Sequence, residues 1–366
     1  MARKTYKFRI YPTPAQKLKL KSWFLLCAEL YNAALQERRG AWKINRMTIS
    51  YAEQNKQLTE IKVIRPEFLE VNSHVLQDVL QRLEKGYQAS FKRIKQGVPA
   101  GFPRFKSARH FNSFSFPNTR YSIAGKNLDV SRLGKIRINQ DCEIDGELKT
   151  CTIKREPGDK YFACIGVEFE PQKLEPTGKE IGLKFSLTNF FTSDDGRTNQ
   201  YEYFYVKEEK RLRVLQRTLA RRKKGSKGRE RAAEELAKFH QKIFNRRNHF
   251  QHVVSHRIVK DYDLITVENL KVKEMLKSKE KKHLNKPLAD AAPSEFIAKL
   301  EYKSEFAGRK FIKVDPKNDT QICVCGHPVP KNLRQRIHSC SQCGATCGRE
   351  EMSAKVIRKR GEKKPA

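Results

Sequence analysis

The chain has 366 residues, 38% hydrophobic and 32% charged, a soluble globular composition with room for two or three domains. Its 76 Lys and Arg against 41 Asp and Glu leave +35 at pH 7, a self-repulsion that nucleic acid, the usual polyanionic partner, relieves. No long apolar run or lipidation motif points to a membrane, and MARKTYKFRIYPTP lacks the apolar core of a secretory signal, so a cytoplasmic setting is expected.

Residues Thr5 to Tyr11 alternate as a strand, with Tyr6, Phe8 and Ile10 on one face. Thr13, Pro14 and Gln16 then supply a cap, a first-turn proline and a capping box. The chain reads as helical to about Gln96, most clearly from His74 to Lys95. There Leu76, Leu80, Leu83, Tyr87, Phe91 and Ile94 form one apolar face, expected to be core. After GVPAGFPRFK the period drops to two, with turns at Ala124-Gly125-Lys126, Asp145-Gly146 and Pro157-Gly158-Asp159. Gly101 to Phe169 is expected to be a small β-barrel or sheet that takes in the N-terminal strand, with the helices inserted into it. PQKLEPTGKE is a linker by composition.

A third unit opens with a strand from Ile181 to Phe191, a turn at Asp194-Asp195-Gly196 and a second strand around Tyr201 to Val206. A long basic helical hairpin follows. Leu212, Leu215 and Leu219 stripe its first arm, Leu236, Phe239, Ile243 and Phe250 its second, with GSKG at the bend. Leu264 to Val267 reads as a buried strand ending in Glu268, KEMLKSKEKKHLNK as a surface loop, and Pro293 to Gly308 as a helix before a strand at Phe311 to Val314. Strands alternating with helices imply an α/β layer. Five of the nine cysteines then crowd between Cys323 and Cys347, which favours metal binding over disulfides. Cys27, Cys142, Cys151 and Cys164 read as buried small apolar residues.

The ordered segments FRIYPTPAQ, LEKGYQASFKRIK, GFPRFK, LQRTLARRKKGS, ITVENLK, FIAKLEYKSEFAGRK and the paired cysteines resemble the TnpB (OrfB-type) proteins of bacterial transposons over nearly the whole chain. These are RNA-guided nucleases related to type V CRISPR effectors. The resemblance implies an α+β multidomain fold. A wedge-like β-barrel would comprise residues 1–12 and 99–172, and a helical recognition insert residues 13–98. A RuvC-like, RNase H-like α/β domain would span 179–319 and 347–366, including the basic hairpin 207–260. A zinc ribbon at 320–346 would interrupt it. The partners implied are a guide RNA and double-stranded target DNA beside a short flanking motif, with base pairing reading the sequence.

Family members cut with three carboxylates that hold two divalent metals roughly 4 Å apart. The first belongs to a G-[IV]-D pattern, which here reads Gly182-Leu183-Lys184; the second matches Glu268. The third lies in D-R-D-x-N-A, which here reads Gly348-Arg349-Glu350-Glu351-Met352-Ser353, placing Glu350 at the carboxylate position. An ammonium cannot ligate Mg²⁺, so no catalytic Mg²⁺ is expected, and Lys184 is expected near Glu268 in place of the missing metal charge. Asp194 and Asp195, about 30 Å along an extended strand from Lys184, are too far to substitute. The chain thus resembles in particular the nuclease-dead repressors called TldR, which silence host genes such as those for flagellin or transport proteins. The alternatives are a residual RNA-guided endonuclease with an altered metal site, and a transposon accessory protein that binds DNA without a guide.

Four thiolates, Cys323, Cys325, Cys340 and Cys343, suit a structural zinc, with His327, His338 and Cys347 near enough to replace one of them. Backbone contacts to RNA or heteroduplex are expected from Arg221, Arg222, Lys223, Lys224 and Lys227 at the hairpin bend, from Arg246 and Arg247, and from Arg104 and Lys106 beside Phe102 and Phe105. By resemblance, Tyr51, Ser73 and Gln77 fall where the insert reads the flanking DNA motif.

Overall fold

The computed structural model describes residues 1–108, 110–277, 282–332 and 334–363, apart from the side chains of 282 and 283. They form two compact units, Met1–Glu170 and Pro171–Ala366.

The first unit begins with β1 (Ala2–Tyr11), whose alternation buries Tyr6, Phe8 and Ile10. Its helices follow: α1 (Pro14–Asn45), α2 (Tyr51–Ile64) and α3 (Ser73–Lys95). The Thr13 hydroxyl accepts from the Gln16 amide while the Gln16 side chain accepts from the Thr13 amide, the reciprocal cap read from the sequence. Strands β2 (Ser113–Pro117), β3 (Tyr121–Ala124), β4 (Asn127–Val130), β5 (Gly134–Asn139), β6 (Glu147–Glu156) and β7 (Lys160–Phe169) complete the unit. With β1 between β7 and β5, they make an antiparallel sheet in the order β2-β6-β7-β1-β5-β4-β3. Trp23 and Phe24 of α1 pack on Phe114 of β2, at ring centroid distances of 5.7 and 4.9 Å, which ties the helical layer to the sheet.

The apolar face of α3 is core only in its first half. Leu76, Leu80 and Leu83 are buried, but Phe91 and Ile94 are half exposed at 50% and 51%, near the helix end. Of the isolated cysteines, Cys27 and Cys151 are buried, whereas Cys142 is exposed in the β5–β6 connection and Cys164 is only partly covered.

The second unit is built on a five-stranded sheet ordered β10-β9-β8-β11-β12. The strand expected from Ile181 to Phe191 is instead two: β8 (Glu180–Phe185) and β9 (Phe191–Ser193), paired antiparallel with Lys184 opposite Thr192. Ser186 turns the chain, its hydroxyl accepting from the Thr188 amide and its amide donating to the Phe190 carbonyl. Consequently Asp194 is not 30 Å away; its carboxylate accepts from the Gly182 amide at 3.1 Å. The expected strand at Tyr201 to Val206 is also absent. β10 is only Thr198–Asn199, and α4 (Phe204–Lys207) is a helical turn whose Tyr205 and Val206 amides donate to buried Asp290. That tertiary cap overrides the aromatic strand preference.

The hairpin forms as α5 (Glu209–Arg221) and α6 (Lys227–Asp261). β11 (Leu264–Glu268) is buried at every residue and pairs parallel with β8 and with β12 (Lys310–Val314). The surface loop expected at KEMLKSKEKKHLNK is largely helical, as α7 (Val272–Lys277) and α8 (Lys282–Ala291); residues 278–281 lie outside the described residues. α9 (Pro293–Ala307), a ribbon of β13 (Ile337–Ser339) and β14 (Thr346–Gly348), and α10 (Arg349–Glu362) finish the unit.

Ile181, Leu183, Ile265 and Val267 share a core with α6 and α9. The opposite sheet face receives α10, and two glycines allow the approach. A Cβ on Gly182 would lie 2.2 Å from the Ala354 carbonyl oxygen, and one on Gly361 would lie 2.1 Å from Thr266 Oγ1. Among the described residues no helix is long and apolar enough to cross a membrane.

Candidate functional site

Three parallel strands end side by side, and the carboxyl ends of such strands are where α/β sheets place their chemistry. Lys184 stands at the end of β8 and Glu268 at the end of β11. Asp319 lies five residues beyond the last residue of β12 (Val314), in a turn whose amide donates to the Pro316 carbonyl. The Lys184 ammonium donates to Glu268 Oε1 at 2.5 Å and to Asp319 Oδ2 at 2.8 Å. Glu268 Oε2 accepts from the Phe185 amide at 2.9 Å, so both oxygens of this carboxylate are engaged. The side chains are 13%, 1% and 5% exposed for Lys184, Glu268 and Asp319, a dry setting in which each charge needs its partner. Burial pushes the Glu268 carboxyl up to about 7, against the pull of Lys184. Burial alone would lower Lys184, but the charges of Glu268 and Asp319 outweigh it and hold the ammonium above its usual range.

The second carboxylate at this cluster is therefore Asp319, which sequence reasoning missed. Glu350, in the first turn of α10, makes no ion pair or side-chain hydrogen bond among the described residues. Its neighbour Glu351 bonds Lys355 instead. The signal that finds Asp319 is positional: a carboxylate in the loop leaving the strand next to β11. Asp194 pairs with Arg358, and Asp195 with Ser193 and Arg197, so neither bonds Lys184.

The four cysteines converge. Cys323, Cys325, Cys340 and Cys343 hold their sulfurs within 4.8 Å of one another, with Cys323–Cys343 at 3.6 Å and Cys325–Cys340 at 3.7 Å. Zn–S bonds of about 2.3 Å in a tetrahedron require sulfurs about 3.8 Å apart, so the set fits zinc. The shortened Cys323-x-Cys325 knuckle closes because Gly326, at φ +98°, turns its amide back to the Cys323 carbonyl. Backbone amides of Cys343 and Gln342 draw the Cys340 thiol down to about 6, favouring thiolate, whereas burial pushes Cys323 up to about 12. None of His327, His338 and Cys347 belongs to the cluster; His338 is buried with neither ring nitrogen bonded.

The cations at the hairpin bend, Arg221, Arg222, Lys223, Lys224 and Lys227, are exposed and make no ion pair among the described residues. The other expected contacts differ. Arg246 and Arg247 are tied to Glu208 and Glu295 at 3.6 and 3.7 Å, and Arg246 also lies over the Phe204 ring. Arg104 is exposed, but Lys106 turns inward over Tyr31, 4.4 Å from the ring centroid, and burial lowers its pKa. Ser73 accepts from Lys62, near the end of α2 opposite to Tyr51. At 1.5 Å per residue Tyr51 lies roughly 16 Å along α2 from the lysine that Ser73 meets.

Comparison with known proteins finds three matching family models. Residues 164–279 match the model described as a probable transposase, OrfB_IS605, and residues 294–357 match the Cas12f1-like TNB domain. Residues 1–47 match a helix-turn-helix domain of the OrfB_IS605 group; here that segment forms β1 and the continuous helix α1. A Streptomyces pristinaespiralis protein named "Putative RNA-guided DNA endonuclease" is 29% identical over 97% of this chain and 88% of its own. The similarly named InsQ of Escherichia coli (strain K12) is 26% identical over 96% of this chain and 90% of its own. Among solved structures, a Cas12f1–sgRNA–target DNA complex aligns at TM-score 0.34 and 15% identity, covering 98% of this chain and 99% of that chain. Two of the three matched models are of the OrfB_IS605 group, and the chain is similar to TnpB-type, transposon-associated proteins along nearly its whole length.

Proposed function

We propose that this member binds DNA under the direction of a guide RNA without cutting it, and represses transcription where the guide matches a host promoter. The observation that carries the reading is Lys184 bonded to both Glu268 and Asp319. Two-metal cleavage requires ions between carboxylates to clamp the attacking and leaving oxygens. An ammonium in that position neutralises the carboxylates, offers no lone pair, and repels a divalent cation. Lys184 would thus keep the RuvC-like layer folded in place of metal charge, while the ribbon cysteines hold a structural zinc.

Binding itself is supported by the +35 net charge and by the exposed cations of the hairpin bend, which suit phosphate backbone. Base pairing, rather than the protein, would select the sequence. The test is to express the protein from its own locus, isolate it and sequence the RNA that accompanies it. A discrete RNA with a constant scaffold and a short 3′ segment matching a host promoter is expected. Heterogeneous cellular RNA would overturn guiding and leave a general polyanion binder.

A further inference from the structure

In the first unit, which holds neither the cysteine cluster nor Lys184, the end of α1, the second half of α3, the connection from α1 to α2 and the loop after α3 surround a cavity of about 740 Å³. Its walls include Trp42, Tyr87, Phe91 and Phe102, and most of this apolar surface is open. Trp42, Phe91 and Phe102 are 51%, 50% and 47% exposed. An aromatic cluster this open contributes less to folding than a covered one and offers flat faces to a ligand. The rings already form a platform: Phe102 lies 6.2 Å from Tyr87 and 5.9 Å from Phe91, in tilted and edge-on contacts.

Polar groups lie both in its wall and around it. In the wall, Glu84 accepts from Arg38 at 2.7 Å and from Gln88 at 2.9 Å, and Arg39 also lines the cavity. Outside, Lys43 and Arg46 at the end of α1 and Lys92, Arg93 and Lys95 at the end of α3 are exposed and make no ion pair among the described residues. The Glu84 carboxylate, paired with Arg38, keeps lone pairs that can accept from an amine or imide N–H, while the cations outside attract phosphate. The ligand this arrangement fits is flat and aromatic, bears N–H donors on its edge, and is tethered to a polyanionic chain.

We infer that this cavity receives an unstacked base of single-stranded RNA, with the strand's phosphates on the Lys and Arg rim. The assignment rests on the proposal that the protein binds RNA. RNA is favoured over DNA because splayed bases stacked on aromatic side chains are the common mode of single-stranded RNA recognition. The Thr48 hydroxyl at the cavity also provides a partner for a ribose 2′-OH.

The chain has two tryptophans; Trp23 is fully buried in the core and Trp42 lines the cavity, so tryptophan emission reads the site directly. The probe is an eight-nucleotide oligoadenylate RNA titrated into the full chain stripped of nucleic acid, with gel-shift affinity measured in parallel. Saturable quenching is expected, with Trp42→Phe removing the signal. Phe102→Ala should weaken binding about tenfold without lowering the melting temperature, the loss expected for one base–aromatic stack. Three results would overturn the inference while leaving RNA binding intact: a gel shift without quenching, Phe102→Ala binding like wild type, or equal quenching by the oligodeoxyadenylate of the same length or by heparin. Absence of any gel shift would instead contradict the RNA-binding reading on which the inference stands.

Discussion

The Lys184 ammonium sits 2.5 Å from Glu268 Oε1, across the adjoining ends of two parallel strands. Removing it by Lys184→Ala leaves the Glu268 and Asp319 carboxylates buried side by side. Breaking a buried pair of this kind costs about 3–5 kcal/mol. Urea unfolding monitored in the second unit should therefore show a lower midpoint, and Glu268→Gln combined with Lys184→Met should recover much of the loss. A Lys184→Ala midpoint equal to wild type would mean that the contact contributes nothing.

Glu268 gives the stability a pH signature. Its folded pKa, about 7, lies above its ordinary value of 4.5, so the folded state keeps a proton that the unfolded chain has released. This contribution is complete below about pH 4.5 and is lost as pH rises towards 7, the reverse of an ordinary paired carboxylate. The stability difference between wild type and Glu268→Gln should change across pH 5 to 7, wild type losing ground as pH rises. Parallel curves would contradict the assignment. Lys184 works in a separate window: its raised pKa gives stability that persists at neutral pH and is lost only as the solution becomes strongly alkaline.

Much of this was legible from residue patterns. β1, the α1 cap, the hairpin stripes and β11 follow from local periodicity and capping, where one segment fixes its own conformation. Lys184 and Glu268 were readable because each sits at a strand end within a recognisable segment. The misses were tertiary. Asp319 joins them only through the packing of β12 beside β11, and the Ser186 turn shortens β8 and brings Asp194 to Gly182. Lys106 turns onto Tyr31, a residue distant in sequence, and Asp290, which follows α6 in the chain, caps α4. No local pattern encodes such contacts.

The cysteine geometry predicts one zinc per chain by atomic absorption. Chelation, or Cys340→Ser, should lower the melting temperature and raise amide exchange from Gln321 to Gly348, because a structural metal contributes directly to folding. Cys347→Ser, outside the cluster, should retain the metal. A metal-free protein with unchanged exchange protection would contradict the ribbon.

The hairpin bend and the returning arm of the hairpin should separate in salt titrations. Lys223→Ala with Lys224→Ala removes two exposed cations that make no ion pair among the described residues, and should reduce the salt slope of RNA binding by about 2 if each meets a phosphate. Arg246→Ala and Arg247→Ala, whose guanidinium groups are already paired within the fold, should change the slope less.

The most direct test of the central claim uses the protein loaded with its own RNA and a matched DNA duplex carrying the flanking motif, with Mg²⁺ or Mn²⁺ present. The account predicts target binding that depends on the guide match, with no strand cleaved at any metal concentration. Metal-dependent cleavage by wild type, abolished by Glu268→Ala, would contradict it and make Lys184 part of a working nuclease.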